Sequence, residues 1–293
     1  MLRLVKAEIF KLFKNKTFRV LCGVAVFLAV MMTVMTSSLI ENMMMDKLGD
    51  MPEENKQQVL QSMGAAESEE QVVTPGNMGL NLVAKDPMNP TAIEVYHSSF
   101  GAGLTEILIG VLIAAFLAKE YSEGTIKNTL AYGKKRREFY LAKFLALIVG
   151  ISIIIAILSI LPTIGATLVS GWGQEFELSQ ITGMIATFIT AVIANSAVAS
   201  IIMVIAIAVK SNGATIGITA GLFLLAPMFL SLAYGVYPTF DKIYELTPFY
   251  NTALATSVHA TGGDLIRAIA VALITIVIFL LAGTRIFKAQ DIK

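Results

Sequence analysis

Few residues in this sequence could do chemistry, and their spacing argues against catalysis by the chain itself. The two histidines, His97 and His259, have no cysteine or second histidine at metal-ligand spacing, so the sequence predicts no zinc site. It contains neither a Gly-x-Ser-x-Gly turn nor a glycine-rich loop ending in Gly-Lys-Ser or Gly-Lys-Thr. We therefore expect no catalytic residues, no metal or cofactor bound by this chain, and no nucleic-acid partner.

Three polar residues stand inside long apolar runs, where an uncompensated polar group is unfavourable. Glu106 lies near the start of the second run, and Asn195 and Ser196 lie near the middle of the fourth. All three are candidates for a translocation pathway. The structural alternatives are hydrogen bonds to a neighbouring span and helix–helix contacts. Glycines that recur every four residues predict a face for close helix packing, at Gly213, Gly217 and Gly221.

The composition indicates that these residues belong to a membrane protein. Of the 293 residues, 56% are hydrophobic and 15% are charged, and the mean hydropathy is +0.73. Soluble domains have about 45–50% apolar and about 25% charged residues. An apolar run of about 20 residues can cross a bilayer as a helix that satisfies its own backbone hydrogen bonds. Six such runs predict an all-α polytopic fold with six transmembrane helices, at 18–40, 99–118, 141–169, 181–209, 214–236 and 265–287.

The positions of lysine and arginine predict the orientation, because cationic loops remain in the cytoplasm. Residues 1–17 carry five cations against one carboxylate, and residues 119–140 carry six cations against three carboxylates. Residues 41–98 carry three lysines against ten carboxylates. We therefore expect a multi-pass protein of the bacterial plasma membrane with both termini, including the tail 288–293, in the cytoplasm and with 41–98 outside.

The segments between the spans have recognisable patterns. Residues 1–17 predict a helix that lies flat on the lipid of the inner leaflet, because its cations oppose an apolar face formed by Leu2, Val5, Ile9, Leu12 and Phe13. A basic flank that only fixes topology is the alternative.

Residues 41–98 predict a small external cap. Residues 237–264 predict an external segment whose aromatic stretch either re-enters the membrane or lies in the interfacial belt.

The cytoplasmic segment 119–140 has the most informative pattern. It combines Glu120 with Gly124 and Thr125, and it carries apolar Ile126 and Leu130 four residues apart on one helix face. A loop that only sets topology does not need this spacing. We therefore interpret the segment as a docking element for another protein.

With Arg137 and Lys143 downstream, this loop resembles that of the second type of ATP-binding-cassette exporter permease. These are six-span subunits of bacterial antibiotic-resistance, peptide-export and lantibiotic-immunity systems. The starting stretch Ala7-Glu8-Ile9-Phe10-Lys11 and the later stretch Leu246-Thr247-Pro248-Phe249 are also similar. The resemblance implies that the loop forms a coupling helix on a separate ATP-binding cassette subunit, which holds ATP and magnesium. By resemblance, the ATPase-coupling residues are Glu120, Gly124, Thr125, Asn128 and Arg137.

The resemblance also implies a pore built by two permease copies, or by this chain and a homologue. Amphipathic or cationic peptides or antibiotics are the expected cargo if the acidic outer segment serves to concentrate cations. The alternative is that this segment is acidic only because lysine and arginine are held inside. Two alternatives remain open. The chain could be an ATP-independent secondary transporter that uses Glu106, or a non-transporting membrane sensor or scaffold that binds a ligand through its external cap.

Overall fold

A computed structural model describes residues 1–36, 90–101, 103–126, 135–173 and 175–290, except for the side chains at 227 and 228. Within these ranges the elements are helices, and no strand is present. The predicted all-α polytopic class is therefore confirmed. Most of the predicted external cap, up to residue 89, lies outside the described residues.

The chain begins with two helices that meet at a single residue. Helix α1 (Leu2–Lys14) is followed by α2 (Lys16–Met35), and Asn15 between them has an extended backbone. The Asn15 Oδ1 accepts a hydrogen bond from the backbone nitrogen of Thr17 at 2.8 Å. Because this bond satisfies a free amide in the first turn of α2, Asn15 both ends the amphipathic helix and starts the first long apolar one.

The predicted second span is divided into successive helical pieces. After α3 (Ala92–Ser98), the chain forms α4 (Leu104–Ile113), a π segment (Ala114–Ala118) and α5 (Lys119–Ser122). Five other helices are individually long and apolar enough to cross a membrane. The sixth crossing stays a prediction. We expect α4, the π segment and α5 to form it together.

The remaining helices complete the bundle. They are α6 (Arg136–Val169), α7 (Leu178–Val209), α8 (Asn212–Ser231), α9 (Pro238–Glu245), α10 (Pro248–Thr256) and α11 (Gly262–Ala289). Helix α6 has 34 residues and so extends about 51 Å, which exceeds the hydrocarbon thickness of a bilayer. Its first turns therefore reach into the segment that the sequence assigns to the cytoplasmic loop.

Helix α7 lies at the centre of the bundle and contacts α4, α6, α8, α10 and α11. In its most apolar stretch, 67% of the residues are buried, whereas 17% are buried in α11. Peripheral helices in a membrane keep such apolar faces toward lipid or toward another subunit. The short helix α10 also packs on α7 and α11, and its Phe249 ring lies 5.4 Å from the Phe223 ring of α8.

Candidate functional site

Four charged side chains from distant parts of the chain meet at the end of the bundle that carries both termini. The Lys143 Nζ lies 2.8 Å from Glu8 Oε2 and 2.7 Å from Glu120 Oε1. The Lys11 Nζ lies 2.7 Å from Glu8 Oε1 and 3.8 Å from Glu120 Oε1. These four residues, which we call the Lys143 cluster, join α1, α5 and α6 through two ammonium groups and two carboxylates.

The centre of the Lys143 cluster is shielded from solvent. The side chains of Glu8 and Lys143 are 0% exposed, and that of Glu120 is 19% exposed. The Lys143 Nζ also donates a hydrogen bond to the Phe116 carbonyl oxygen at 3.0 Å and lies 3.9 Å from the centre of the Phe116 ring. Because a buried charge without a partner is strongly unfavourable, removing one central member would leave the others uncompensated.

Lys11 lies at the solvent-exposed edge of the Lys143 cluster, and both carboxylates affect its pKa. Partial burial alone lowers the pKa of Lys11. Hydrogen bonding and Coulombic attraction to Glu8 and Glu120 outweigh this effect, so the pKa of Lys11 lies above its usual value. Lys11 is therefore firmly cationic at neutral pH, and the two ammonium groups balance the two carboxylates.

The sequence of α1 places a carboxylate in the middle of a buried stripe. Leu4, Glu8 and Leu12 follow one another at four-residue intervals, and all three are buried against the bundle. Leu2 and Phe13 are exposed. The sequence interpretation put Leu12 on one lipid-directed face with Leu2 and Phe13, and this grouping is wrong because α1 packs along α6 and buries Leu12 there.

The π segment determines how Glu120 and Phe116 are presented to Lys143. A π turn contains one more residue than an α turn, so it rotates the following residues around the helix axis. The residues of this segment, Ala114–Ala118, are all buried. The rotation occurs immediately before Glu120, and the Phe116 carbonyl that binds Lys143 belongs to the same turn. The π segment therefore helps to position two groups that contact Lys143, namely the Phe116 carbonyl and the Glu120 carboxylate.

The residues to which the resemblance assigns ATPase coupling have different surroundings. Glu120 pairs with lysines of its own chain. Gly124 has a φ of +70° and open space where a Cβ would lie. Thr125 is exposed, and its hydroxyl donates a hydrogen bond to the Glu120 carbonyl at 3.4 Å. Arg137 is exposed at the start of α6. Asn128 lies outside the described residues.

The position of Ile126 corrects one part of the docking interpretation. The sequence predicts that Ile126 and Leu130 form an apolar face for a partner. Ile126 is only 1% exposed and belongs to the hydrophobic core of the chain. Burying this side chain against the bundle removes it from water, so it is not available to another protein. Leu130 lies outside the described residues.

A second group of contacts fixes the end of α11 beside the Lys143 cluster. The Arg136 guanidinium donates hydrogen bonds to the last carbonyls of α11, including that of Lys288 at 3.0 Å. The Tyr121 hydroxyl donates to Gln290 Oε1 at 3.0 Å, and Gln290 Nε2 donates to the Ile207 carbonyl at 2.7 Å. We call these contacts the C-terminal clamp. The sequence did not reveal it, because most of the acceptors are backbone groups.

The three pathway candidates are buried, and each has a hydrogen bond within its own segment. Glu106 Oε2 accepts a hydrogen bond from the Gly103 backbone nitrogen at 2.8 Å, so the carboxylate caps the start of α4. The Asn195 side chain donates to the Ala191 carbonyl at 2.9 Å, and Ser196 donates to the carbonyl four residues before it at 2.7 Å. Among the described residues, no hydrogen bond joins these three side chains to one another.

The glycine stripe of α8 faces away from the described part of this chain. Apart from the glycine itself, its neighbours in sequence and the backbone of its own helix, no described atom lies within 4 Å of a Cβ built at Gly213, Gly217 or Gly221. The opposite face of α8 packs closely, since a Cβ at Gly110 of α4 would clash with the Thr219 methyl group. The helix-packing role of the stripe therefore stays a prediction, since no neighbour for it lies among the described residues.

Comparison with known proteins identifies a membrane component of a transporter. The described ranges contain no group of three or more His, Cys, Asp or Glu side chains that could hold a metal ion. Among curated proteins, no significant relative is found. The family model described as "ABC-2 family transporter protein" matches residues 2–292. The chain therefore belongs to the ABC-2 transporter family and is a multi-pass permease component of an ABC transporter.

Proposed function

We propose that this chain is the permease subunit of an ATP-driven exporter, and that a separate ATP-binding cassette subunit holds ATP and magnesium and hydrolyses the ATP. The observation that supports this proposal is the Lys143 cluster. It fastens the start of the predicted docking segment to α1 and α6 through buried ion pairs. A force applied to that segment therefore reaches two other helices.

The energy scale of the Lys143 cluster suits this role. Removing one partner of a buried ion pair typically destabilises a protein by about 3–5 kcal/mol. Coupling free energies between distant sites are typically about 1–3 kcal/mol. The cluster can therefore remain intact while ATP binding and hydrolysis move the docking segment. In this proposal α1, α5 and the start of α6 move as one unit.

The residues that remain available to the partner are exposed ones beside this unit. Thr125 and Arg137 have accessible side chains, and Gly124 provides the left-handed turn between α5 and Ile126. We assign docking to Thr125 and Arg137, together with Asn128. Glu120 acts in this proposal as a positioning residue, because its charge is already paired inside the chain.

The proposal includes an orientation and an assembly. Both termini and residues 119–140 face the cytoplasm of a bacterial cell, and two permeases, identical or homologous, enclose the pathway. Tags near Glu67 and Gly173 should react with impermeant reagents added outside, whereas tags near Lys134 and after Lys293 should not. External labelling near Lys134 in intact cells would contradict the orientation.

We propose amphipathic or cationic peptides or antibiotics as the cargo. The support is the charge of residues 41–98, where ten carboxylates outnumber three lysines. Such a field raises the local concentration of cations. Transport assays should therefore compare a cationic peptide with a neutral analogue of equal length, and equal rates for the two peptides would contradict this assignment.

The decisive experiment is purification of the tagged full-length chain from its host in a mild detergent. We expect an ATPase subunit to co-purify and the mass of the complex to correspond to two membrane subunits and two ATPases. The reconstituted complex should hydrolyse ATP faster when cargo is present. Ion-coupled transport by the chain alone would instead support a secondary transporter, and cargo binding without transport would support a sensor.

A further inference from the structure

We propose that a cavity beside the Lys143 cluster binds the phosphate of an acidic phospholipid from the leaflet that α1 touches. The cavity has a volume of about 410 Å³ and lies between α1, the start of α2, the π segment and α5. Ligand pockets typically occupy about 300–1,000 Å³. The charged residues of its lining are Lys11, Lys14, Lys16, Lys119, Glu120 and Glu123. The inference requires a membrane location but does not depend on an ATPase partner.

The cavity carries an excess of positive charge, and two of its lysines are not paired with a carboxylate, although the Lys14 Nζ lies 5.7 Å from the centre of the Phe10 ring. Lys11 is engaged with the carboxylates of the Lys143 cluster, and Lys119 pairs with Glu123 at 3.6 Å. In the described part of the chain, Lys14 and Lys16 have no ion pair with a carboxylate. These two lysines come from the end of α1 and the start of α2, on either side of Asn15.

Several features of this corner favour a phosphate. Ammonium groups bind phosphate oxygens as point charges, and Lys14 and Lys16 both line the cavity without a carboxylate partner. Asn15 caps the Thr17 amide, but the first turn of α2 contains no acidic residue, so no negative charge there offsets the partial positive charge of the helix start. The Glu120 carboxylate in the lining is already occupied by Lys143 at 2.7 Å, which reduces its repulsion toward an anion.

The apolar surroundings favour a lipid over a soluble anion. Phe10 lines the cavity and is exposed. Further along α2, Val20 and Phe27 are also exposed, and their spacing puts them on the same face of α2 as Lys16. A phosphate held at Lys14 and Lys16 would therefore have its acyl chains along the outer face of α2. Choline would bring a cation to a cationic cavity, so an acidic headgroup fits better than a zwitterionic one.

The test uses the purified full-length chain and measures retention of phosphatidylglycerol by native mass spectrometry. Phosphatidylcholine with the same acyl chains is the reference lipid. In K14Q/K16Q we expect binding of phosphatidylglycerol to weaken about 30-fold, because each lysine near a lipid headgroup contributes roughly a fivefold effect. The matched control is R3Q/K6Q, which removes two charges from exposed positions of α1 outside the cavity and should change binding by less than about threefold.

Several outcomes would overturn the site. Equal losses in the two double variants would mean diffuse attraction to the basic N-terminal segment, and equal retention of both lipids would remove the preference for an acidic headgroup. Displacement of the lipid by millimolar inorganic phosphate would identify a soluble anion as the occupant.

K14R/K16R should bind as the wild type does. If K14Q/K16Q does not fold, the single variants K14Q and K16Q should each weaken binding about fivefold, and an unchanged affinity in both would contradict the proposal. None of these results depends on ATP hydrolysis, so the proposed function is tested separately.

Discussion

Two glutamates lie at opposite ends of the predicted second span, and their surroundings differ. Glu106 accepts a hydrogen bond from the backbone of Gly103, three residues earlier, and so completes the start of its own helix. Glu120 pairs with Lys143 of α6 and lies near Lys11 of α1. Both carboxylates are largely buried. Within the described ranges, Glu120 is the one of the two that pairs with charges from distant parts of the sequence.

The difference indicates that Glu106 has a local structural role, whereas Glu120 connects distant helices. Changing Glu106 affects the beginning of one helix. The Gly103 amide that loses its acceptor can then bond to nearby water or to another backbone carbonyl. Changing Glu120 or its partners affects three helices at once, because the charges left behind are buried between them. A carboxylate in an apolar run is therefore a poor guide to function until its partners are known.

The largest effect is expected when the shared cation of the Lys143 cluster is removed. In K143M, Glu8 and Glu120 lose their buried partner, and we expect the free energy of unfolding to fall by about 3–5 kcal/mol. The matched control is K119M, because Lys119 forms a half-exposed pair with Glu123 that should contribute less than about 1 kcal/mol. Thermal unfolding in one detergent measures both variants. Equal stability losses would show that the Lys143 cluster is not a buried connection.

A double-variant cycle sharpens this prediction. E8Q in the K143M background removes one of the two carboxylates left without a partner, so E8Q/K143M should be more stable than the sum of the single variants implies. Contacting residues typically show interaction energies of about 0.5–3 kcal/mol. Strict additivity would contradict a direct Glu8–Lys143 interaction.

The next largest effect separates two adjacent arginines. Arg136 binds the last carbonyls of α11 in the C-terminal clamp, whereas Arg137 is exposed. We expect R136Q to lower the free energy of unfolding by about 1.5–3 kcal/mol, because hydrogen bonds from a charged donor are lost. R137Q should change stability by no more than about 0.5 kcal/mol. Reconstituted ATPase assays should give the reverse order, with R137Q weakening partner binding more than R136Q does. The same order in both assays would contradict the separation of clamp and docking surface.

The all-α polytopic class was predictable from the sequence because the signal of a long apolar helix is contiguous. Runs such as the one within Leu178–Val209 are apolar over a length that only a helix can carry through lipid. The division of the second span was not predictable from hydropathy, since the residues of the π segment, Ala114–Ala118, are as apolar as those of a regular helix. The burial of Ile126 was also missed, because its spacing from Leu130 does not say which side of the helix meets the bundle.

The site was only partly predictable for a related reason. The sequence identified Glu120 and Lys143 as notable residues, but the Glu8–Lys143 contact joins residues 135 positions apart, and nothing in a single sequence gives that pairing. One signal was available, namely that Glu8 lies between Leu4 and Leu12 on the buried stripe of α1. A carboxylate in that position requires a buried cation, and Lys143 is the lysine that supplies it.

A smaller effect is expected from a substitution that strains the docking turn at Gly124 but removes no contact. Gly124 and Gly171 both have a positive φ and open space at the Cβ position. A β-branched residue in this conformation typically costs about 1–3 kcal/mol, so G124V and G171V should lower stability by similar amounts. Only G124V alters the predicted docking turn. We therefore expect cargo-stimulated ATP hydrolysis to fall in G124V and to persist in G171V. Equal ATPase losses in the two variants would indicate general destabilisation and would contradict a docking role for the turn.

The smallest effect is expected at Glu106, the other member of the comparison. In E106Q the amide oxygen can still accept the hydrogen bond from Gly103, so we expect stability to change by less than about 1 kcal/mol. E106A removes the acceptor and should destabilise the protein by about 1 kcal/mol, as loss of a helix cap typically does. If the carboxylate serves only as a cap, ATP-driven transport should be unchanged in E106Q.

Glutamine cannot exchange a proton, so E106Q distinguishes a cap from a proton-carrying group. A secondary transporter that uses this carboxylate would lose ion-coupled flux in E106Q while remaining folded. The measurement is uptake into vesicles under a proton gradient without ATP, compared with ATP-dependent transport by the complete complex. Flux that requires the gradient and disappears in E106Q would reverse the assignment of the two glutamates. Glu106 would then be the functional carboxylate of this span, and Glu120 would be structural.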